Sequence, residues 1–456
     1  MLLARVRPFR GLRYDPERLG AIDRVLAPPY DVISEDERQR LIARSEHNIV
    51  RLTLGDQPVG TPPDERDYGG AACLLAEWEA QGLLRYDDRP AAYVYEQTYQ
   101  GPPPHNEIIR RRGLILAVQL EPLGEGTIFP HEATLSEPKE DRLRLFRATE
   151  FSFSQIFGLY DDPSKRIEQS VRAAMGEPLW RFEDEYGIGQ ALWRVDDPAA
   201  LADVQAALAD LPIFIADGHH RYETSMAYRN LLRERHPGVD PAPWDYLPMF
   251  LCNVADKTLT IVPAHRMLRR LPQELLDDFE VRAGELFDLD PVTVPDDPAG
   301  RRAAVDELLE LMSQHSDGHT FGAFWGRSHA VALRLREKSK ALEQYASSLS
   351  AVQGSLDVAL LHAVLIRGVL GEMEDLAKMS GRGNVYFERD PYKCFEDVVE
   401  GRAQMALLVN PTRVEDVLRI AEAGERMPQK GTYFWPKPLD GMVLYNMRPD
   451  SPSLSD

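Results

Sequence analysis

Pro212-Ile213-Phe214-Ile215-Ala216-Asp217-Gly218-His219-His220-Arg221 is the stretch on which the reading of this chain turns. Four consecutive apolar, mostly β-prone residues read as a strand buried on both faces. Asp217-Gly218 breaks the run, and Tyr222 to Arg235 then carries Tyr222, Met226, Ala227 and Leu231 on one helical side. A strand therefore ends in a tight turn and a helix begins at once. Free N–H groups at a helix start favour anions, and glycine lets the backbone approach a ligand closely. His219, His220 and Arg221 add side-chain donors. Arginine grips phosphate with a two-pronged fork, and histidine carries protons near neutral pH. The plain alternative is an Asp217 helix cap followed by exposed histidines. The chain contains its own control, because Asp317-Gly318-His319 repeats the tripeptide. That copy follows a helical stretch and precedes a strand, as an ordinary turn does. The tripeptide alone says nothing; strand, DGHHR and helix together point to an anion site.

Working outward, Ala199 to Leu211 reads as a short helix that feeds this strand. From Ala91 the chain is β-rich: Ala92–Tyr95, Gly113–Val118, Ile156–Tyr160, Met249–Asn253 and Leu259–Val262 are strand candidates. Nearer the N-terminus, Leu3–Arg7 alternates like a strand and Ala27–Val32 is a rigid, extended segment. Ser34 caps a helix with acids in its first turn, and Ala71–Gln81 is an amphipathic helix packing Leu74, Leu75 and Trp78. Past Leu271-Pro272, Phe321–Trp325 and Val331–Leu335 form a hairpin, and Leu356–Leu370 reads as a buried helix. From Val385 to the helix after Val409 the elements alternate β-α-β-α, which predicts a parallel arrangement. The tail Ser451–Asp456 is polar and frayed. The class is α/β. The expected organisation is an N-terminal α/β segment over 1–90, a core carrying DGHHR over 91–270, and a C-terminal α/β domain over 271–456.

Three further constellations carry ionisable groups. Phe129-Pro130-His131-Glu132-Ala133-Thr134 is followed by Glu137-Pro138-Lys139-Glu140-Asp141-Arg142. Glu132 suits a general base or a Mg²⁺ ligand, with His131 beside it, and Lys139 and Arg142 suit phosphate. A charged loop with local ion pairs is the competing reading. His265-Arg266, directly after the strand candidate at 259–262, repeats the chemistry of His220-Arg221. Lys430 to Lys437 is an aromatic, Lys-flanked strand that suits either a nucleotide pocket or core packing. No GxxxxGK[ST] loop, no GxGxxG after a strand, and no HExxH, GxSxG or HRD/DFG set is present.

Composition narrows the partners. The 456 residues hold 53 Lys and Arg against 73 Asp and Glu, a net charge of −20. That balance argues against nucleic acid and anionic membranes. The nearest basic clusters, Arg10, Arg13 and Arg110-Arg111-Arg112, are short enough to be solvated or salt-bridged surface. No apolar run reaches the ~18 residues of a membrane span. The N-terminus lacks the apolar segment of a secretion signal. Cys73, Cys252 and Cys394 have no CxxC spacing, which suits a reducing cytosol and gives no zinc pattern. A cytoplasmic protein is expected.

These blocks together resemble a widespread prokaryotic family, catalogued as domain of unknown function number ten-fifteen. The matching stretches are Arg7–Gly11, Ala27–Ile33, Asn48–Leu52, His131–Thr134, Pro138–Arg142, Ile215–Thr224 and Tyr433–Lys437. Ala264 stands where the family more often has Thr before His-Arg, and Ser136 where it usually has Gly. The DGHHR block further resembles the phosphate-contacting motif of the ParB/sulfiredoxin superfamily. Its members handle CTP, use ATP, or phosphorylate free serine. The resemblance implies a ParB/sulfiredoxin-like mixed-sheet core with N-terminal and C-terminal α/β additions. It places Gly218, His219, His220 and Arg221 on a nucleotide phosphate, with Asp217 in the same phosphate-binding turn or near a metal. Glu132 is the candidate base on charge and neighbourhood, and Lys139, Arg142, His265 and Arg266 add phosphate contacts.

The expected function is a kinase that moves phosphate from ATP (or ADP or CTP), with Mg²⁺ held by Asp217 and Glu132, onto a small polar metabolite such as serine. His131, Glu132 and His220 are the catalytic candidates. Two rivals remain: a CTP- or ATP-binding switch with slow hydrolysis, and a metal-dependent hydrolase using His131, Asp217 and His219. Nucleotide and small molecule are the expected partners, and a homodimer is left open.

Overall fold

The run Ile213–Ala216 is buried throughout and lies inside a mixed sheet of nine strands. In chain order these are β1 (Val6–Arg7), β2 (Ala92–Gln100), β3 (Ile108–Gln119), β4 (Ile128–Phe129), β5 (Ile156–Tyr160), β6 (Trp180–Glu183), β7 (Gly189–Val195), β8 (Ile213–Asp217) and β9 (Tyr246–Asn253). Their spatial order is β4-β8-β5-β9-β3-β2-β7-β6, with β1 paired to the end of β3. β4 with β8 and β5 with β9 are parallel, and the other neighbours are antiparallel.

The computed structural model describes the chain except residues 1–4, 103–106, 133, 135, 315–317, 337–343, 372–375, 429 and 455–456. Leu3 and Ala4 of the first strand candidate, Ala133, Asp317 of the second tripeptide and the last two residues of the tail lie outside the described residues. The chain forms two compact units: unit 1 holds residues 1–130, 134–260 and 434–456, and unit 2 holds 131–133 and 261–433. Residues 1–90 thus share a unit with the sheet, as do the last residues of the chain.

Helices α1 (Gly69–Ala80), α2 (Ser136–Thr149), α3 (Arg166–Ala174), α4 (Pro198–Ala209) and α5 (His219–Arg235) belong to unit 1. Asp197 caps α4 by accepting from the Ala200 amide at 2.8 Å, with Pro198 in the first turn where a missing N–H costs nothing. Ile167, Val171, Val204 and Leu208 of α3 and α4 pack on Val94, Leu116, Trp193 and Ile215. Each such fully buried aliphatic chain contributes roughly 1.5–3 kcal/mol.

The opposite face of the sheet corrects the reading of Arg110-Arg111-Arg112 as surface. Side chains alternate along a strand, so the triplet is split between faces. Arg110 and Arg112 meet Glu96, at 3.7 and 3.0 Å. Arg111 points the other way and is fully buried, its guanidinium 4.8 Å from the Phe157 ring centre. It donates to Gln97 and to the carbonyls of Trp435 and Pro436. A buried cation held by carbonyl oxygens pins the C-terminal segment to the sheet.

In unit 2 the strands are β10 (His265–Leu268), β11 (Phe287–Thr293), β12 (Thr320–Trp325), β13 (His329–Leu335), β14 (Val385–Glu388) and β15 (Met405–Val409). They lie in the order β11-β13-β12-β15-β10-β14, with every neighbouring pair antiparallel. Helices α6 (Pro298–Gln314) and α7 (Pro391–Val399) cover them through Leu308, Met312, Phe395 and Val398. The predicted parallel pairing is therefore wrong in one respect. β14 and β15, joined through α7, do share a direction, but β10 lies between them and pairs antiparallel with both. A crossover helix sets strand direction; a distant segment decided who fills the gap. Leu356–Leu370 departs too: one α-turn, Asp357–Leu360, continues as a π-helix, Leu361–Val369.

Candidate functional site

Strand β8 delivers Asp217 to the sheet edge through an irregularity. Its register against β5 shifts between Ile215 and Asp217, which re-aims the last side chain. Gly218 follows at φ +93° and starts α5 with no side-chain cap. A Cβ there would stand 2.8 Å from the Ile156 side chain and 3.0 Å from the Arg221 guanidinium. Glycine is needed for both torsion and space. Gly218→Ala is expected to cost roughly 2–4 kcal/mol, left-handed strain plus overpacking, read as a lower urea midpoint.

Arg221, in the first turn of α5, donates to Asp217 at 2.8 Å and to the Gln155 carbonyl at 2.9 Å. Lys437, from the segment that Arg111 pins, meets the other oxygen of Asp217. Asp217, Arg221 and Lys437 are all nearly buried, so this is one carboxylate held between two cations at an uncapped helix start. The sequence reading had Asp217 as a cap or metal ligand; its oxygens are instead taken by Arg221 and Lys437. Among the described residues no group of three His, Cys, Asp or Glu side chains could hold a metal ion. In this arrangement both oxygens of Asp217 are engaged by cations and not held open for Mg²⁺.

Beside Arg221 stands a residue that the sequence reading missed. Asp440 is 1 % exposed, and among the described residues neither carboxylate oxygen completes a hydrogen bond. Its backbone pairs with that of Ala27, which joins the Pro438-Leu439-Asp440-Gly441 segment to the Ala27–Val32 stretch. Burial pushes its carboxyl up to about 8; Arg221 and Arg142 pull the other way, and Asp31 adds to the rise. Arg142 lies 4.0 Å from the centre of the Tyr30 ring. It donates to the Thr53 carbonyl at 2.7 Å, to the Tyr68 hydroxyl at 2.6 Å and to Asp141. Burial alone would lower its affinity for its proton, but Tyr68, Asp141 and Tyr30 together raise it. With these donors committed, Arg142 acts as a brace and not as an exposed phosphate contact.

The stretch from 129 to 147 is divided. Helix α2 packs on α5 within unit 1: Thr134 and Lys139 both reach Glu223 at 2.8 Å, and Thr224 donates to the Lys139 carbonyl at 3.4 Å. His131 and Glu132 belong to unit 2. There His131 Nε2 bonds to Thr432 Oγ1 at 2.8 Å, and Glu132 accepts from the Lys430 amide at 3.3 Å. His219 is buried and His220 half-buried, at the first two positions of α5. His265 and Arg266 are the first two residues of β10, both buried, and not the end of the strand before them. His265 Nδ1 accepts from the Val409 amide at 3.3 Å, and burial drives its pKa down to about 3, so it is neutral. The second DGH copy gives its His319 to Asp357 at 2.7 Å just before β12.

Among the described residues no helix is long and apolar enough to cross a membrane. The sequence matches, over residues 6–359, the family described as Protein of unknown function (DUF1015). No curated protein matches it. A free serine kinase in complex with AMP is similar at 12 % identity and a TM-score of 0.33, over 68 % of this chain and 83 % of that one. A C-terminally truncated SbnI from Staphylococcus aureus is similar at 11 % and 0.35, over 74 % and 90 %. A conserved hypothetical protein from Pyrococcus furiosus stands at 11 % and 0.32, over 69 % and 90 %. At such TM-scores no residue correspondence follows.

Proposed function

From the premise that this chain belongs to the family Protein of unknown function (DUF1015), we propose that it is a nucleotide-dependent phosphotransferase acting on a small polar metabolite such as serine. The observation that carries this reading is the Arg221–Asp217–Lys437 cluster at the uncapped start of α5. Asp217 holds the two cations in place while no anion is present. A nucleotide phosphate arriving at the helix start takes over their charge, helped by the dipole and by the first-turn amides. His219 and His220 stand in that same turn as further donors. Phosphoryl transfer asks the protein chiefly for positioning and positive charge, which is what these groups supply. Lys139 contributes charge from α2, paired to Glu223 in a half-exposed contact that exchanges at little cost. Arg142 braces the cluster.

The experiment is phosphorus NMR of the full chain with ATP or ADP and a panel of hydroxylated metabolites. His220→Ala is expected to reduce turnover at least a hundredfold, the scale of one acid–base or electrostatic group, with an unchanged melting temperature. Wild-type turnover in that variant removes the mechanism. Tight nucleotide binding without transfer to any acceptor favours the switch.

A further inference from the structure

Among the described residues, the buried cation Arg266 of unit 2 has no counter-ion. It is 1 % exposed at the second position of β10, flanked across the sheet by Phe387 and Leu407. Its Nη1 donates to the Ala264 carbonyl, and its guanidinium lies 5.6 Å from the centre of the Phe387 ring. Among the described residues no carboxylate pairs with it. Nε is buried with no partner, and Nη2 makes no hydrogen bond among them either. The open Nε–Nη2 edge is the side of the fork that matches two oxygens of one oxyanion. The neighbouring acid does not supply it: Glu388 lies opposite His265 in the register and is paired to Lys393. Burial lowers the Arg266 guanidinium to about 10, with no opposing charge to restore it, and His265 next to it is neutral. Burying a charge without a partner is strongly unfavourable, so a chain that keeps one there has a use for it.

We infer that the Nε–Nη2 edge of Arg266 is an oxyanion site in unit 2, taking a carboxylate or phosphate group of a ligand in a two-pronged grip. This site stands independently of the cluster at Asp217.

Thermal melts of the full chain with inorganic phosphate, with acetate, and with chloride at matched ionic strength test it. Phosphate or acetate is expected to raise the wild-type melting temperature above the chloride value. Response to both fits a carboxylate or a phosphate ligand, and response to phosphate alone assigns a phosphate. Arg266→Met is expected to lose at least half of that rise, and to melt no lower than wild type in chloride, because it removes an unpaired buried charge. Arg266→Lys keeps charge and bulk without the fork. It is expected to fold and to bind the anion at least tenfold more weakly, which decides the matter if the Met variant does not fold. No anion response in wild type, or an undiminished response in Arg266→Lys, overturns the inference.

Discussion

Asp440→Asn is expected to leave the protein no less stable near pH 4 and to make it more stable than wild type at pH 8. The carboxyl is raised to about 8 in the folded chain, chiefly by burial, against about 3.9 when unfolded. Between those values the unfolded chain has released the proton and the folded chain still holds it. The contribution of this group to stability is therefore complete below pH 4 and falls away as pH rises through 8. Asn has no proton to lose, so the difference opens over that window, to the order of a few kcal/mol by pH 8. Urea midpoints of both proteins from pH 4 to 8 measure it. A variant less stable than wild type at pH 8 shows that Asp440 is an ionised, paired group, and the site geometry is then misread.

Arg221→Met is expected to cost about 3–5 kcal/mol, the scale of breaking a buried ion pair from one side. Three groups lose by it: Asp217 keeps only Lys437, the Gln155 carbonyl loses its donor, and Asp440 loses the first of the two cations that hold its proton affinity down. The two substitutions should therefore couple. In the Arg221→Met background, Asp440→Asn is expected to stabilise at pH 8 by more than it does alone, because the unpartnered acid is worse without its cation. Denaturation of the four proteins of this cycle gives the coupling, and simple additivity would place Asp440 outside the cluster. The single Arg221 variant is also expected to lose nucleotide binding, read by calorimetry, which a purely structural arginine need not do.

Much of the candidate site was legible in the residues. Strand, turn and helix around Asp217 follow from the four-residue apolar run, the Gly218 break and the helical spacing from Tyr222, all signals within one short window. The Ser34 cap is local in the same way. The distinction between the two DGH copies also held, since the first opens a helix and His319 leads into a strand.

Other residues read differently because their meaning depends on burial. Asp440 in Leu-Asp-Gly looks like any turn acid until packing against Ala27 and Tyr30 removes its water. Arg111 looks like its two neighbours until the pleat sends it to the opposite face. His265-Arg266 looks like a second anion turn after a strand, and is the buried start of the next strand.

By itself, then, the sequence determined the elements and the DGHHR turn, because periodicity, caps and glycine torsions act within a few residues of chain. Only the tertiary structure decided what faces that turn. Lys437 reaches Asp217 across 220 positions, carried there by Arg111, which itself bonds to a carbonyl 324 positions away. No local pattern encodes such pairings. They exist because an isolated buried charge is costly, and folding brings opposite charges and carbonyl oxygens from distant segments until most of them are matched.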